Sequence, residues 1–327
     1  MRGATYCTLV GVLACAWCGP ARAGSLTITA AGAAQGLSLS TFADGFPNDP
    51  AAGGGVGPLG VAFVNGTVLV SDHPGNVRIF PNDTDGQHAG SAPVAQNYGG
   101  TNAFDLAQLN GKIYMTQEAI GDVVQINNNG TFNQVIVGGF GSPTGMIADR
   151  FTGLLYVSTV GLAYAVDPVA KTASVFVNAN LDGLSLSPDG SVLYGARVGD
   201  RHIIGYSTAN GAQVYDSGAI SGLDGTAVGT GPFTGYIFAN TNFGQVFEVT
   251  LGSSPVQTLI ATGGSRGDFV TVDPTTNTLM LTQTDTLVRL SGASFTSVPE
   301  PASLVMAGTA AVAGLGFWVL RRTRATV

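Results

Sequence analysis

One pattern of apolar and polar positions recurs six times between residues 60 and 283 of the chain. Each copy has a short apolar run, a polar turn, and a second apolar run that ends in small or polar residues. Short apolar runs bounded by such turns are typical of β-strands. The copies begin at Gly60, Asp105, Gly145, Gly183, Gly225 and Asp268, which are 45, 40, 38, 42 and 43 residues apart. A period of about 40–45 residues with four strands per unit is typical of a β-propeller blade.

Further apolar runs supply the outer strands of the units. Third runs lie at 77–80, 123–126, 163–166, 203–206, 246–249 and 287–290, and fourth runs at 132–137, 174–177, 213–215 and 256–260. The sixth unit has no fourth run, and residues 37–42, ahead of the first unit, have the pattern to supply it. That strand would close the ring and leave no open sheet edge at the seam. We therefore predict an all-β, six-bladed propeller over residues 24–297. A β-helix or a sandwich would not account for the four-stranded unit.

The first 23 residues have the three parts of a secretory signal peptide. Arg2 is followed by an apolar stretch over residues 9–17 and by a small-x-small site that ends at Ala23. We predict cleavage after Ala23, which makes residues 1–23 the signal peptide. A lipoprotein alternative would use Cys15, but Leu13 fits poorly at a position where a small residue is usual.

An uncharged segment of 19 residues, 302–320, lies near the C-terminus and is followed by three arginines. A helix that rises 1.5 Å per residue would span about 28 Å here, close to the roughly 30 Å hydrocarbon core of a bilayer. We therefore predict a transmembrane helix, with the arginines in the cytoplasm and the preceding chain outside.

The motif Pro299-Glu300-Pro301 stands directly before that segment. The motif, the apolar span and the basic end together resemble the PEP-CTERM sorting tail of Gram-negative bacteria, over residues 298–327. The resemblance implies processing by an exosortase-type enzyme, an anchor in the inner membrane before processing, and final placement on the cell surface or in the extracellular matrix. Exopolysaccharide and surface proteins are the further partners that it implies.

Composition narrows the classes of function. All three cysteines, Cys7, Cys15 and Cys18, lie in the predicted signal peptide, so the remaining chain has no disulfide or thiolate chemistry. Without the two end segments the chain keeps 8 basic and 19 acidic residues, a net charge of −11. That sign disfavours a phosphate-binding surface, so we expect no nucleic acid partner. Cations and neutral glycans remain open.

The propeller architecture places a site at the mouth of the central channel. Strands within a blade are antiparallel and the first is innermost, so the residues before strand one and after strand two lie on the same face. Four aspartates stand before strand one: Asp105, Asp182, Asp224 and Asp268. The ends of the second strands supply further candidates for binding at the channel mouth: Asp72, His73, Glu118, Arg197, Asn240 and Asn242.

Two interpretations of the four aspartates remain open. Converging carboxylates would repel one another unless they shared protons or a cation, and a set of oxygen ligands suits Ca²⁺ or Mg²⁺. Alternatively, each aspartate caps the start of a strand by accepting hydrogen bonds from loop amides. Identical Leu-Asp-Gly contexts make Asp182 and Asp224 the best metal candidates.

Two units also resemble blades of the gluconolactonase (senescence-marker) propeller family, at residues 181–194 and 223–228. The resemblance implies a divalent cation, often calcium, at the channel and the hydrolysis of lactones or esters. The Ser-Pro-Asp-Gly motif at 187–190 also resembles non-enzymatic, NHL-like propellers. The resemblance is specific in these two units and extends over the rest of the body only as a pattern.

The ligands that the family resemblance implies are a Glu, two Asn and an Asp, each at the start of a first strand. Asp224 matches the Asp, and Asp182 stands where one Asn would be. The other two positions fall at Leu59 or Gly60 and at Thr144, which supply neither a carboxylate nor an amide. This departure puts lactonase activity in doubt.

Two functions are therefore expected from the sequence. The first is a non-catalytic surface or matrix protein that binds a glycan, a cation or another protein. The alternative is a divalent-cation-dependent lactonase or esterase of the gluconolactonase type. A histidine general base is scarcely supplied, because the chain has only three histidines: His73, His88 and His202.

Overall fold

The computed structural model describes residues 25–51 and 55–292. The predicted signal peptide, transmembrane helix and sorting tail lie outside the described residues. Within the described ranges, no helix is long and apolar enough to cross a membrane.

The described chain folds almost entirely into β-strands, with one short α-helix and one 3-10 helix, Gly231–Phe233. In chain order the other elements are β1 Thr27–Ile28, α1 Ala30–Ala34, β2 Leu37–Asp44, β3 Pro58–Val64, β4 Thr67–Asp72, β5 Asn76–Phe80, β6 Gln87–His88, β7 Val94–Asn97, β8 Leu106–Leu109, β9 Lys112–Gln117, β10 Asp122–Ile126, β11 Phe132–Gly138, β12 Met146–Asp149, β13 Leu154–Thr159, β14 Leu162–Asp167, β15 Thr172–Val177, β16 Leu181–Leu186, β17 Val192–Arg197, β18 His202–Ser207, β19 Gln213–Ala219, β20 Leu223–Val228, β21 Tyr236–Thr241, β22 Val246–Thr250, β23 Gln257–Thr262, β24 Val270–Val272, β25 Leu279–Thr282 and β26 Leu287–Gly292.

The strands form six sheets, which are the six blades. Blade 1 holds β3, β4, β5 and β7, blade 2 holds β8 to β11, blade 3 holds β12 to β15, and blade 4 holds β16 to β19. Blade 5 holds β20 to β23 with β1 at its edge, and blade 6 holds β24, β25, β26, β2 and β6. The first strands of neighbouring blades lie beside one another and form the channel wall. The predicted all-β, six-bladed propeller is confirmed.

The ring is closed by β2, which pairs antiparallel with β26 and places Leu39 opposite Leu290. Blade 6 therefore contains strands from both ends of the described chain. All six blades and the closing strand lie within residues 25–292, so this span holds a complete ring. We call it the propeller body.

The sequence pattern does not predict three of the strands. β7 carries one large apolar residue, Val94, and β1 and β6 have two residues each, so none of the three shows a period of two. β1 pairs with β23 of blade 5, and β6 pairs in parallel with β2. These strands form through pairing with edges that the rest of the fold supplies.

Six hydrophobic clusters of described residues fill the spaces between neighbouring blades. Between blades 1 and 2, Leu69 and Val77 pack with Ile113 and Met115, and all four side chains are fully buried. Each blade thus covers the apolar face of the next, and the ring as a whole forms one core.

Glycines allow the first strands to approach one another at the channel. A Cβ added to Gly225 would lie 2.2 Å from the carbonyl oxygen of Asp268, and one added to Gly183 would lie 2.5 Å from the Cα of Gly225. The obstructing atoms are backbone atoms of the next blade, so they cannot rotate away. These glycines set the close packing at the channel.

We expect Gly225→Ala to destabilise the propeller body. The added methyl group has to push blade 6 outward, and such overpacking costs about 2–3 kcal/mol. Gly199→Ala is the matched control, since an added Cβ at Gly199 meets nothing within 4 Å. Thermal denaturation followed by circular dichroism should show a lower Tm for Gly225→Ala and an unchanged Tm for Gly199→Ala. Equal Tm values for the two variants would contradict this account of the packing.

A buried arginine joins blade 6 to the loop after β5. Arg289 donates from Nε to Asp85 at 2.9 Å and from Nη1 to Asp273 at 3.0 Å, and its Nη2 also binds Asp83. The Arg289 side chain is 7% exposed and that of Asp273 is fully buried. Burial, and then a hydrogen bond shared with Asp273, raises the pKa of Asp83 to about 6. The loop carrying Asp83 and Asp85 is therefore tied to the closing blade by charge.

Asp83→Asn should remove part of the pH dependence of stability. The pKa of Asp83 is about 6 in the folded state and 3.8 in its reference state. Its contribution to the free energy of unfolding is therefore full below pH 3.8 and is lost as the pH rises to about 6. Allowing for solvent screening, we expect a loss of about 1–2 kcal/mol over that window. Urea unfolding should show that the free energy of unfolding of the variant, relative to the wild type, is higher at about pH 7.5 than at about pH 4. Asp85→Asn, which also removes an acceptor from Arg289, is the control; an Asp83→Asn difference independent of pH would contradict the prediction.

Candidate functional site at the channel mouth

The starts of the first strands bring three of the four predicted aspartates together. Asp182 and Asp224 are the second residues of β16 and β20, and Asp268 stands two residues before β24. The carboxyl groups of Asp182 and Asp268 both lie close enough to that of Asp224 to act on its pKa. Asp224 and Asp268 are each 8% exposed, whereas Asp182 is partly exposed. We call these three residues the mouth triad.

Burial and mutual repulsion keep protons on the mouth triad. Burial raises the pKa of Asp182 to about 6, and the charge of Asp268 adds to the rise. Burial, followed by the charges of Asp182 and Asp268, raises the pKa of Asp224 well above its ordinary value. The carboxyl groups of the mouth triad are therefore harder to ionise than free aspartates, as close carboxyl groups are.

Asp105, the fourth predicted aspartate, has a different environment. Its Oδ1 accepts from the amide of Leu106 at 2.8 Å, and its Oδ2 accepts from the amide of Met146 in blade 3 at 2.7 Å. Burial raises the pKa of Asp105 to about 7, and the two amide hydrogen bonds oppose that rise. Asp105 thus caps one strand and joins two blades, as expected if the aspartates serve to cap the starts of strands.

Arg266 lies against the mouth triad, and sequence analysis missed it. Its Nη2 lies 2.7 Å from Oδ1 of Asp268 and 3.8 Å from Oδ2 of Asp224. Its Nε also donates to Asp268, at 2.8 Å. The guanidinium supplies a positive charge where the metal interpretation would place a cation. The signal in the sequence is a lone arginine two residues before Asp268, in the segment that leads into strand one.

A buried apolar cluster adjoins the mouth triad, since Phe269 directly follows Asp268. Leu59 at the start of blade 1 is 1% exposed and packs with Val56 and Phe269. Phe104 joins them, with its ring centroid 5.8 Å from that of Phe269. The start of blade 1 therefore contributes a buried apolar residue, and no polar ligand, beside the mouth triad.

Two of the other predicted mouth residues are engaged within the fold. Asp72 is fully buried and accepts from Nε of Arg78 and, at 2.8 Å, from Nδ2 of Asn76. Burial raises the pKa of Asp72 despite these partners. Asn240 is also fully buried, and it donates to the carbonyl oxygens of Phe269 and Thr282.

The remaining predicted mouth residues lie at the surface or near it. His73 is partly exposed; burial raises the pKa of Asp268, Arg266 opposes that rise most, and His73 is the last of the groups that oppose it. Arg197 pairs with Asp200 through Nε at 2.9 Å, and Glu118 is partly exposed. Asn242 follows β21, and within the described part of the chain its buried Oδ1 has no hydrogen-bond partner. His73 is thus the member of this set that the electrostatics connect to the mouth triad.

The residues at the mouth do not fit a four-ligand site for Ca²⁺ or Mg²⁺. Leu59 is sealed in the apolar cluster, and the hydroxyl of Thr144 contacts that of Ser158 at 3.1 Å. Within residues 25–51 and 55–292, no group of three or more His, Cys, Asp or Glu side chains is arranged to hold a metal ion. Arg266 contributes to this poor fit to a divalent cation, because it already pairs with two of the three carboxylates.

Comparison with known proteins defines the fold class of this chain. No protein-family model matches it, and no curated protein matches it. A gluconolactonase from Xanthomonas campestris superposes with a TM-score of 0.64 and 17% identity, over 84% of this chain and 98% of that protein. A Trichoderma reesei protein of carbohydrate-active enzymes family AA12 gives a TM-score of 0.62 and 12% identity, over 83% of this chain and 98% of that one.

A third solved structure shows how widely the fold is shared. A chain from a nidogen–laminin complex superposes with a TM-score of 0.53 and 13% identity, over 69% of this chain and 97% of that chain. The three neighbours carry different descriptions, and their sequence identities to this chain are 17%, 12% and 13%. The likeness therefore establishes a six-bladed propeller of the architecture that gluconolactonases also have, and function has to be argued from the site.

Proposed function

We propose that this chain is an exported, non-catalytic β-propeller that binds a neutral polysaccharide at its channel mouth. The observation that carries the proposal is the contact of Arg266 with Asp268 and Asp224 beside the partly exposed Asp182. This arrangement presents hydrogen-bond donors and acceptors together while its charges largely balance one another. Sugar hydroxyls both donate and accept, so a neutral glycan matches such a surface.

Two further features support a binding role. The net charge of the predicted mature chain, −11, repels acidic polymers and leaves neutral ones as the matching class. Asp105 uses both carboxylate oxygens on backbone amides, so it is poorly placed to act as a general base.

Affinity electrophoresis of the propeller body through gels containing neutral polysaccharides tests the proposal. We expect at least one neutral polymer, such as a glucan, to retard the protein. Asp224→Asn combined with Arg266→Gln should abolish the retardation, while Lys112→Gln, which removes an exposed cation at the start of β9 on the face away from the mouth, should leave it unchanged. Migration that no neutral polymer alters would contradict the proposal.

A second candidate is a divalent-cation-dependent lactonase or esterase of the gluconolactonase type. The observation that favours it is the contact between Asp182 and Asp224, the two positions that the family resemblance assigns to the cation. Lactone or ester turnover that is lost in Asp224→Ala and in the presence of a chelator would establish this candidate. Turnover that survived either treatment would exclude its mechanism.

We also propose export across the inner membrane, anchoring by the C-terminal segment, and release to the cell surface or matrix by an exosortase-type enzyme. The support is the signal-peptide pattern over residues 1–23 and the PEP-CTERM-like pattern over residues 298–327. Both patterns are consistent with a cysteine-free mature chain whose stability comes from its core.

Replacing Pro299, Glu300 and Pro301 together by alanine should leave the full-length protein in the inner membrane. The reason is that the altered motif would no longer be recognised, while the apolar span would still insert. Cell fractionation with immunoblotting measures the result, and Pro274→Ala in an exposed turn of the propeller is the control. Unchanged release of the triple variant to the surface would contradict the proposed sorting.

A further inference from the structure

The central channel contains a cavity that lies between the mouth triad and the opposite face of the propeller. Its volume is 350 Å³, and it extends from Asp105 along the first strands of blades 2 to 6 towards the turns that follow several of them. First strands run from the mouth face to the opposite face, so those turns surround an opening on the opposite face. A second cavity of 220 Å³ adjoins it and shares Ile147 and Ala148 with it.

The lining of this channel cavity is mainly apolar. Side chains of the first strands project into it, among them Ile147, Leu186 and Val272, and these three are only partly buried although they lie inside the ring. Apolar side chains that face an internal space gain stability when an apolar molecule displaces water from them. The size is also within the range of small-molecule pockets, which are typically about 300–1,000 Å³.

A cation lies at the rim of the opening. Arg150 is exposed in the turn after β12, stacks over Phe151 at 4.8 Å from the ring centroid, and donates weakly to the carbonyl oxygen of Pro188. Among the described residues Arg150 forms no ion pair.

The carboxylates near this rim are turned to other partners. Asp149 is fully buried and accepts from the amide of Phe151 at 2.9 Å and from the hydroxyl of Thr152 at 2.7 Å. Asp189 accepts from the hydroxyls of Ser187 and Ser191, and Asp273 is buried against Arg289. Arg150 is therefore the charged group at the rim that remains for a ligand.

We propose that the channel cavity binds a small anionic amphiphile, namely a medium-chain carboxylate, with its aliphatic chain among the first strands and its carboxylate at Arg150. The apolar lining matches the chain, and the guanidinium matches the head group by charge and by its paired N–H donors. The exposed Phe151 ring extends the apolar surface to the rim. This site is separate from the polysaccharide site proposed at the mouth, and each can fail without the other.

Isothermal titration of decanoate into the propeller body, below the micellar concentration, tests the proposal. We expect one site per chain. Octanoate should bind about fifteenfold more weakly, because it has two methylenes fewer and each methylene removed from water contributes roughly fourfold in affinity. Decanol measures the contribution of the chain without the charge.

Variants separate the head-group contact from the cavity. Arg150→Gln should weaken decanoate about tenfold and change decanol binding less than twofold, whereas Lys171→Gln, which removes another exposed cation from blade 3, should change neither. Ala148→Phe should abolish binding of both by filling the cavity. Leu186→Asn gives a second test of the cavity if Ala148→Phe proves unfolded in a thermal melt.

Each outcome has a stated meaning. Absence of decanoate binding to the wild-type body overturns the proposal. Binding that Ala148→Phe and Leu186→Asn both leave intact places decanoate outside the channel and also overturns it. Equal losses of decanoate and decanol in Arg150→Gln would overturn the head-group assignment. Polysaccharide retardation measured on the same Ala148→Phe protein reports on the mouth independently.

Discussion

Arg289→Met should lower the Tm of the propeller body by about 10 °C. The substitution keeps an apolar chain of similar length but leaves Asp83, Asp85 and Asp273 without their shared cation. Asp273 is fully buried and Arg289 is 7% exposed, so the carboxylate cannot regain the lost contact from water. Removing one partner of a buried ion pair typically costs about 3–5 kcal/mol, and a domain of this size loses about 2–4 °C per kcal/mol.

Thermal denaturation followed by circular dichroism at neutral pH measures this effect. Arg197→Met is the matched control, because Arg197 pairs with Asp200 at the surface, where an ion pair contributes about 0–1 kcal/mol. A Tm for Arg289→Met within about 2 °C of the wild type would show that the stability of blade 6 does not depend on the ion pairs of Arg289. A large loss in Arg289→Met with little change in Arg197→Met supports the account.

Arg266→Gln should convert the mouth into a calcium site. The wild-type guanidinium lies 2.7 Å from Asp268 and 3.8 Å from Asp224. Its removal leaves the mouth triad as a cluster of carboxylates that a divalent cation can neutralise. The variant should be less stable than the wild type without calcium and should recover when calcium is added.

The expected size of that recovery follows from mass action. A site with a Kd of about 10⁻⁴ M, at the tight end for extracellular modules, would be stabilised by about 2.7 kcal/mol in about 10 mM calcium. Thermal melts with calcium and with chelator measure it. Wild type and Arg197→Gln should show no calcium-dependent shift, since neither lacks the cation at the mouth. A calcium-stabilised wild type, or an Arg266→Gln variant indifferent to calcium, would contradict the role assigned to Arg266.

Most of the ring was predictable because it repeats. A blade needs apolar strands and tight turns, and six copies of that local pattern define the unit without any knowledge of distant contacts. Strand β7, with Val94 as its one large apolar residue, escaped prediction because its formation depends on the exposed edge of β5. Local pattern carries no information about such an edge.

The site was only partly predictable, for a related reason. Periodicity places Asp182, Asp224 and Asp268 at equivalent positions, and the structure joins them. Equivalent positions do not have equivalent environments, however, and Asp105 forms hydrogen bonds to amides instead. Arg266 lies outside the repeat, so its approach to two carboxylates depends on how one loop crosses the mouth. That single contact argues against the metal site, one of the two interpretations that the sequence left open.

The central claim is that the mouth binds without catalysing a reaction. The most direct measurement is hydrolysis of a panel of lactones and esters, beginning with glucono-1,5-lactone, by the propeller body with calcium and with chelator. The account predicts no turnover above the uncatalysed rate in either condition. Turnover that requires calcium and disappears in Asp224→Ala would contradict it and establish the lactonase.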